Sequence, residues 1–227
     1  MDAKQEKGNL KSVVGLLVMD VDSTLINEEG IDLLGDLAGV GEQVAAITER
    51  AMRGELDFQQ ALEERVALLK GLPVSVFDQV AATITLTPGA QELISHLQSR
   101  GWEITLVSGG FIQTVGPLAQ AMGIDRYQAN ELEVKDGYLT GSVLGDIVTK
   151  ETKQEKLLQW AKEFGLSLEQ TVAVGDGAND LLMIASAGKG VAFCAKPMVR
   201  DAAPYAIEER DLTQIIQIIE GEANDHL

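Results

Sequence analysis

Asp20 and Asp22 stand one residue apart at the end of an apolar run, residues 13–19, whose Val and Leu content predicts a buried strand. Residues two apart in an extended chain project to the same side. The two carboxylates should therefore leave the strand's end side by side, where they repel each other and resist unpaired burial. A hard cation such as Mg2+ resolves that conflict. It takes one or two carboxylates and keeps its other positions for water and phosphate oxygens. The plain structural alternative for Asp20-Val21-Asp22-Ser23-Thr24 is an Asx-type turn, with Thr24 capping the next helix.

Ligands of open α/β sheets sit outside the carboxyl ends of the strands, so the residues just past each apolar run matter. The run at 103–107 delivers Ser108-Gly109-Gly110 ahead of a helical stretch at 111–122. Glycines let backbone N–H groups approach a phosphate, and a helix N-terminus adds partial positive charge. A serine-capped helix entry uses the same residues. The run at 171–174 delivers Gly175-Asp176-Gly177-Ala178-Asn179-Asp180. Asp176 offers a third carboxylate to a cation site, and Asn179 a donor for a phosphate oxygen. Asp180 could orient a metal-bound water or a lysine. A Gly-rich turn with a helix cap fits the same residues. Lys153 opens a helix at 153–164, where the dipole slightly disfavours a cation, which makes a surface role less natural and a phosphate-facing one more so, although most lysines are simply solvated. Lys150 and Lys156 compete for that role.

Other nucleophiles are poorly served. The two histidines, His96 and His226, fall on a predicted surface helix and in the tail, so no Ser-His-Asp set assembles. Cys194 and Arg200 have the spacing of cysteine-dependent phosphatase loops. Pro197, however, removes an N–H from that loop, no glycine eases it, and Met198 and Val199 suit a packed helix start. A buried structural cysteine is the default.

The elements must bring these sets to one rim. Helical patterns at 27–38, 42–53, 58–69, 74–83 and 90–100 separate the first strand from the second. A parallel crossover needs one helix of about a dozen residues. The excess predicts an inserted helical-bundle cap at 28–85, with 12–27 and 86–220 forming the core. Asp57 is the expected N-cap of the third cap helix. Lys135-Asp136-Gly137, between extended stretches at 130–134 and 138–143, predicts a small β-hairpin. Downstream, strands at 171–174 and 190–193 alternate with helices at 178–187, near Pro197 and at 212–220. The fold class is therefore α/β, with three layers around a parallel sheet.

The chain's 227 residues are 45% hydrophobic, enough for a sizeable core, and its net charge is −17. That field excludes nucleic acid and anionic membrane as partners and repels an anionic substrate, so a phosphate site needs its own cations. One cysteine precludes an internal disulfide, and no apolar run reaches the length of a membrane span. Residues 1–11 are polar, without the apolar stretch of a signal peptide, and the expected compartment is the cytoplasm. Residues 1–11 and 221–227 are expected to be disordered tails.

Asp20-x-Asp22-x-Thr24, Ser108, a lysine and Gly175-Asp176-Gly177-Ala178-Asn179-Asp180 resemble, in order, the motifs of the haloacid dehalogenase superfamily. The resemblance spans 13–220. With Val107-Ser108-Gly109-Gly110-Phe111 and Cys194-Ala195-Lys196-Pro197 it narrows to the phosphoserine phosphatase family. It implies a Rossmann-like core under a helical cap. It implies an aspartyl-phosphate formed on Asp20, with Asp22 as acid and base. The implied metal is Mg2+, on Asp20, Asp176 and the main-chain carbonyl of Asp22. The implied substrate residues are Ser108, Gly109, Gly110, Lys153 and Asn179 around the phosphate. Glu29 and Arg65 would read the ammonium and carboxylate of O-phosphoserine, and Met52 and Phe58 would shape the pocket. Asp180 would support the site. Such an enzyme completes serine biosynthesis. Phosphothreonine, phosphohomoserine or transfer to an alcohol stay open as alternatives, as does a homodimer.

Overall fold

In the computed structural model, which describes residues 13–221, β1 (Gly15–Met19) is buried on both faces. Its side chains divide by parity, as an extended chain requires. Leu17 and Met19 join one apolar cluster, and Leu16 and Val18 another. Six further strands flank it: β2 (Trp102–Phe111), β3 (Arg126–Lys135), β4 (Tyr138–Leu144), β5 (Thr171–Gly175), β6 (Lys189–Phe193) and β7 (Tyr205–Ile207). The sheet order is β4-β3-β2-β1-β5-β6-β7, and only the β3–β4 pair is antiparallel.

The α-helices among the described residues are α1 (Gly30–Leu37), α2 (Gly41–Met52), α3 (Phe58–Ala67), α4 (Val76–Thr83), α5 (Ala90–Ser99), α6 (Ile112–Ala121), α7 (Lys150–Glu163), α8 (Leu181–Ser186), α9 (Pro197–Ala202) and α10 (Gln214–Glu220). α5, α6 and α10 pack on the face of Leu17 and Met19 through Leu93, Leu97, Val115 and Ile215. α7 and α8 cover Leu16 and Val18 through Leu157, Trp160 and Met183. The expected three layers result.

Helices α1–α4 lie between β1 and β2 in the chain and gather round their own cluster, Leu34, Val44, Leu62, Val66 and Val80. Asp57 caps α3 as expected: it accepts the Gln60 N–H at 2.8 Å, and Gln60 Oε1 accepts the Asp57 N–H at 3.1 Å. Phe111, Leu132 and Leu139 of the sheet close that cluster from below. The α3–α4 connection is also stitched to β4, with Gly71 N–H to Leu139 O at 2.9 Å and Leu139 N–H to Leu72 O at 2.8 Å.

Three details differ from the sequence expectation. β2 does not stop at Val107 but runs through Ser108-Gly109-Gly110 to Phe111, so those residues are extended chain rather than a helix entry. Their pairing with β3 lapses between Val107 and Phe111, which frees backbone at the rim. The hairpin of β3 and β4 forms as expected, but β3 begins at Arg126, earlier than the pattern suggests, and first pairs parallel with β2. The short β7 was not expected at all. The tails expected at 1–11 and 221–227 lie outside the described residues except for Gly221, which directly follows α10.

Candidate active site

Strand pairing carries the first carboxylate to the sheet's carboxyl edge, where the Asp20 N–H donates to Val174 O of β5 at 2.9 Å. Residues 21–25 then form a wide turn, closed by the Ile26 N–H on Val21 O at 3.0 Å. Inside it Asp22 is extended (φ −63°, ψ 132°) and Ser23 is left-handed (φ 57°). A positive φ is uncommon for a non-glycine residue, and here it folds Asp22 back over the rim. Asp22 Oδ1 accepts the N–H of Gly30, the first residue of α1, at 2.9 Å. Oδ2 takes a long hydrogen bond from Ser108 Oγ at 3.4 Å, while Ser108 Oγ accepts the Gly110 N–H at 2.8 Å. A Cβ on Gly110 would collide with Asp22 Oδ2, so only glycine allows this approach. Burial first, and the nearby Glu29 charge second, push the Asp22 carboxyl up to about 7.

Lys153 of α7 is fully buried, and its Nζ donates to Asp20 Oδ1 at 2.5 Å and Asp180 Oδ1 at 2.7 Å. Burial opposes its charge, but Asp180 and Asp20 outweigh burial and hold its pKa above the ordinary lysine value. Burial raises the Asp20 carboxyl from its ordinary value, against the pull of Lys153. Asp176 is pushed up to about 7 by burial, then by Asp180 and Glu29. Oxygens of Asp20, Asp176 and Asp180 lie within 4.8 Å of one another. Three carboxylates thus share one ammonium. The surplus negative charge and all-oxygen donor set fit a hard divalent cation. Asp180 serves mainly as a brace: besides Lys153, its Oδ2 accepts the N–H groups of Asp176 and Gly177 at 3.1 and 3.0 Å. The Asp22 carboxylate stays outside this acidic group, turned toward Gly30 and Ser108.

Above these residues is a cleft of about 390 Å3 between the sheet's edge and α1–α3. Asp20, Asp22, Gly109, Gly110, Asp176 and Asn179 form its floor, and Glu29, Met52, Phe58 and Arg65 its roof. Ser108, Lys153 and Asp180 are fully buried just behind the floor. Phe58 reaches down to the floor, since a Cβ on Gly109 would sit 3.3 Å from its Cζ. Glu29 Oε1 accepts from Ser23 Oγ at 2.5 Å, and burial raises its pKa. Arg65 Nε donates to Ala61 O at 3.1 Å and Nη1 to Thr48 Oγ1 at 3.3 Å. The nearby carboxylates Asp32 and Glu29 oppose the effect of its burial.

Among the cleft-lining residues with polar side chains, two carry no role in the sequence reading. Thr48 buttresses Arg65, and Lys196 is, with Arg65, one of the two cations on the wall. Lys196 was visible only as part of Cys194-Ala195-Lys196-Pro197. Cys194 does not line this cleft. It has φ 45°, its Sγ faces Glu208 O at 3.6 Å, and Arg200 pairs with Glu208 at 2.8 Å. That loop wraps no anion site.

A family model described as haloacid dehalogenase-like hydrolase matches residues 17–185. A protein named phosphoserine phosphatase from Streptococcus thermophilus is 63% identical over 211 residues, 93% of this chain and 98% of the relative. Another of that name, from Methanocaldococcus jannaschii, is 47% identical over 90% of this chain and 97% of its own length. A solved structure described as a phospho-aspartyl intermediate analogue of phosphoserine phosphatase superposes with TM-score 0.84 at 46% identity, covering 90% of this chain and 98% of the other. A substrate-bound phosphoserine phosphatase complex gives 0.85 at 46% identity, with 90% and 97% covered. With a model match across most of its length and relatives this similar end to end, the chain belongs to the haloacid dehalogenase-like hydrolase family.

Proposed function

We propose that the chain is a phosphoserine phosphatase, hydrolysing O-phospho-L-serine to L-serine and phosphate through an aspartyl-phosphate on Asp20. One observation carries this reading: a single cleft has Asp20, Asp22 and Asp176 on its floor and Glu29 and Arg65 on its roof. The first set suits phosphoryl transfer. The second offers an anion to an ammonium and a guanidinium to a carboxylate, the two groups that distinguish a phosphorylated amino acid. The relatives' shared name points to the same substrate.

Asp20 attacks phosphorus as the bond to the serine oxygen breaks. Lys153 donates to Asp20 Oδ1, which leaves Oδ2 for the attack. Asp22 passes its proton to the departing oxygen, then accepts one from the water that cleaves the Asp20–phosphate bond. A carboxyl near 7 populates both forms at neutral pH, which this exchange needs. The Gly109 N–H, Lys153 and Asn179 hold the phosphate oxygens, while Ser108 and Gly110, whose Oγ and N–H bond each other, fix the floor around them. Mg2+, held by Asp20, Asp176 and the Asp22 carbonyl, would supply charge stabilisation to the transferring group. Residues 28–85 act as a cap, with Met52 and Phe58 closing the pocket over the serine carbons and keeping out bulk water.

No helix among the described residues is long and apolar enough to cross a membrane, and the lone thiol of Cys194 suits a reducing compartment, so we place the enzyme in the cytoplasm.

Phosphate release from O-phosphoserine, with Mg2+ and with a chelator, tests the proposal. Wild type should be active only with the metal. Asp20→Asn should abolish turnover and acid-stable phospho-carboxyl trapping, and Cys194→Ala should leave the rate near wild type. Faster hydrolysis of phosphothreonine or phosphohomoserine would overturn the substrate, and activity in Asp20→Asn the mechanism.

A further inference from the structure

The connection after β7 sends Arg210 across the base of α1–α4. Its Nε donates to Asn27 Oδ1 at 2.6 Å. Its Nη2 faces three oxygens, Ser23 O and Ile26 O at 3.1 Å and Thr87 Oγ1 at 3.3 Å. The guanidinium also lies over the Phe193 ring, 5.6 Å from its centroid, at the end of β6.

These acceptors fall on two kinds of chain. Ser23 O belongs to the turn that folds Asp22 over the rim. Ile26, Asn27 and Thr87 belong to the two stems through which α1–α4 join the sheet. The stems also pair with each other: Asn27 N–H meets Thr85 O at 3.0 Å, and Thr87 N–H meets Leu25 O at 2.9 Å. Asn27 Nδ2 adds a bond to Thr85 Oγ1 at 2.9 Å. Arg210 is therefore the place where turn, both stems and sheet meet. A planar fork presents its donors in fixed directions to acceptors spread over separate chains, a geometry that the compact, flexible ammonium of a lysine does not reproduce. Arg210 does not line the cleft, so it touches no substrate.

We infer that Arg210 is a positioning residue for phosphoryl transfer, locking the Asp22-bearing turn to both stems of α1–α4. It rests on the role proposed above for Asp22. Without the lock, the turn with left-handed Ser23 is free to relax, and Asp22 drifts from the leaving oxygen. The cost depends on the leaving group. A serine alkoxide needs the proton as it departs, whereas p-nitrophenolate leaves without one. A purely structural arginine would make no such distinction.

The test is single-turnover release of serine from O-phosphoserine and of p-nitrophenol from p-nitrophenyl phosphate, for wild type, Arg210→Lys and Arg210→Met. Single turnover isolates the first chemical step. Serine release should slow by about 30-fold or more in both variants, a partial loss of the roughly 100- to 10,000-fold that a placed general acid contributes. p-Nitrophenol release should change by less than about threefold, because little of that contribution applies. Thr87→Val and Asn27→Ala, which each remove one acceptor, should show the same selectivity more weakly and guard against a variant that fails to fold. Equal losses on both substrates, or no loss on either, would overturn the inference. A wild type that cleaves p-nitrophenyl phosphate but not O-phosphoserine would instead overturn the substrate assignment. Arg210 would then be judged on phosphoethanolamine, whose leaving alkoxide has the same need for a proton.

Discussion

Lys153 and Asp20 form a buried ion pair, Nζ to Oδ1 at 2.5 Å, and Asp180 completes it from the other side at 2.7 Å. Removing the ammonium leaves two buried carboxylates facing each other with no neutralising partner. Lys153→Met should therefore lower the unfolding free energy by about 3–5 kcal/mol, the usual result of orphaning one side of a buried pair. It should also abolish turnover. Denaturant titration reads the first effect. A loss below about 1 kcal/mol would mean that the carboxylates shed their charge by taking up protons.

Metal binding and proton release should be linked at this site. Asp176 is pushed up to about 7 in the metal-free protein by burial and by Asp180 and Glu29, so it is largely protonated below that pH. A cation needs the carboxylate. Mg2+ affinity should therefore weaken as pH falls below about 7, with proton release accompanying binding. Calorimetry in buffers of different ionisation enthalpy measures that release. Affinity unchanged between about pH 5.5 and 8 would remove Asp176 from the ligand set.

Arg65 should distinguish substrates by their head group. It stands on the roof of the cleft with Glu29, away from the phosphate-facing floor. Arg65→Ala should raise KM for O-phosphoserine by about tenfold or more, the scale of a lost charged hydrogen bond. KM for p-nitrophenyl phosphate should move little. Comparable losses on both would show that Arg65 supports the roof's packing rather than reading a carboxylate.

Much of this site was legible because its residues end strands. An apolar run followed by Asp-x-Asp, and another followed by Gly-Asp-Gly, must bring their acids to one edge of a parallel sheet. Asp57 was legible as a cap because its partner Gln60 is three residues away. Where sequence fell short, the causes are physical. Gly109 and Gly110 have little intrinsic preference for a strand, yet β2 passes through them. β7 has three residues, too few to show an alternation. Arg210 meets Asn27 across 183 positions, and nothing local in the chain marks either as half of a contact. Lys196 was hidden in the same way, since only the fold brings its charge within reach of Glu29.

Lys196 yields the remaining prediction. The chain carries −17 net charge, and the cleft floor adds Asp20, Asp22 and Asp176, so a phosphate dianion arrives against the field. On the wall only Arg65 and Lys196 oppose it, and Arg65 already commits Nε and Nη1 to Ala61 and Thr48. Lys196 is exposed, and its charge reaches Glu29. It is placed on the cleft wall, where it can draw substrate in. Lys196→Gln should raise KM for O-phosphoserine by about threefold to fivefold, the scale of one solvent-exposed charge interaction, with kcat nearly unchanged. Because exposed charges are screened, the variant's KM should also climb less steeply with added salt than that of wild type, and Lys196→Arg should restore both values. A fall in kcat with KM unaltered would instead place the ammonium at the reacting phosphate, and identical salt dependence in the two proteins would remove it from substrate capture.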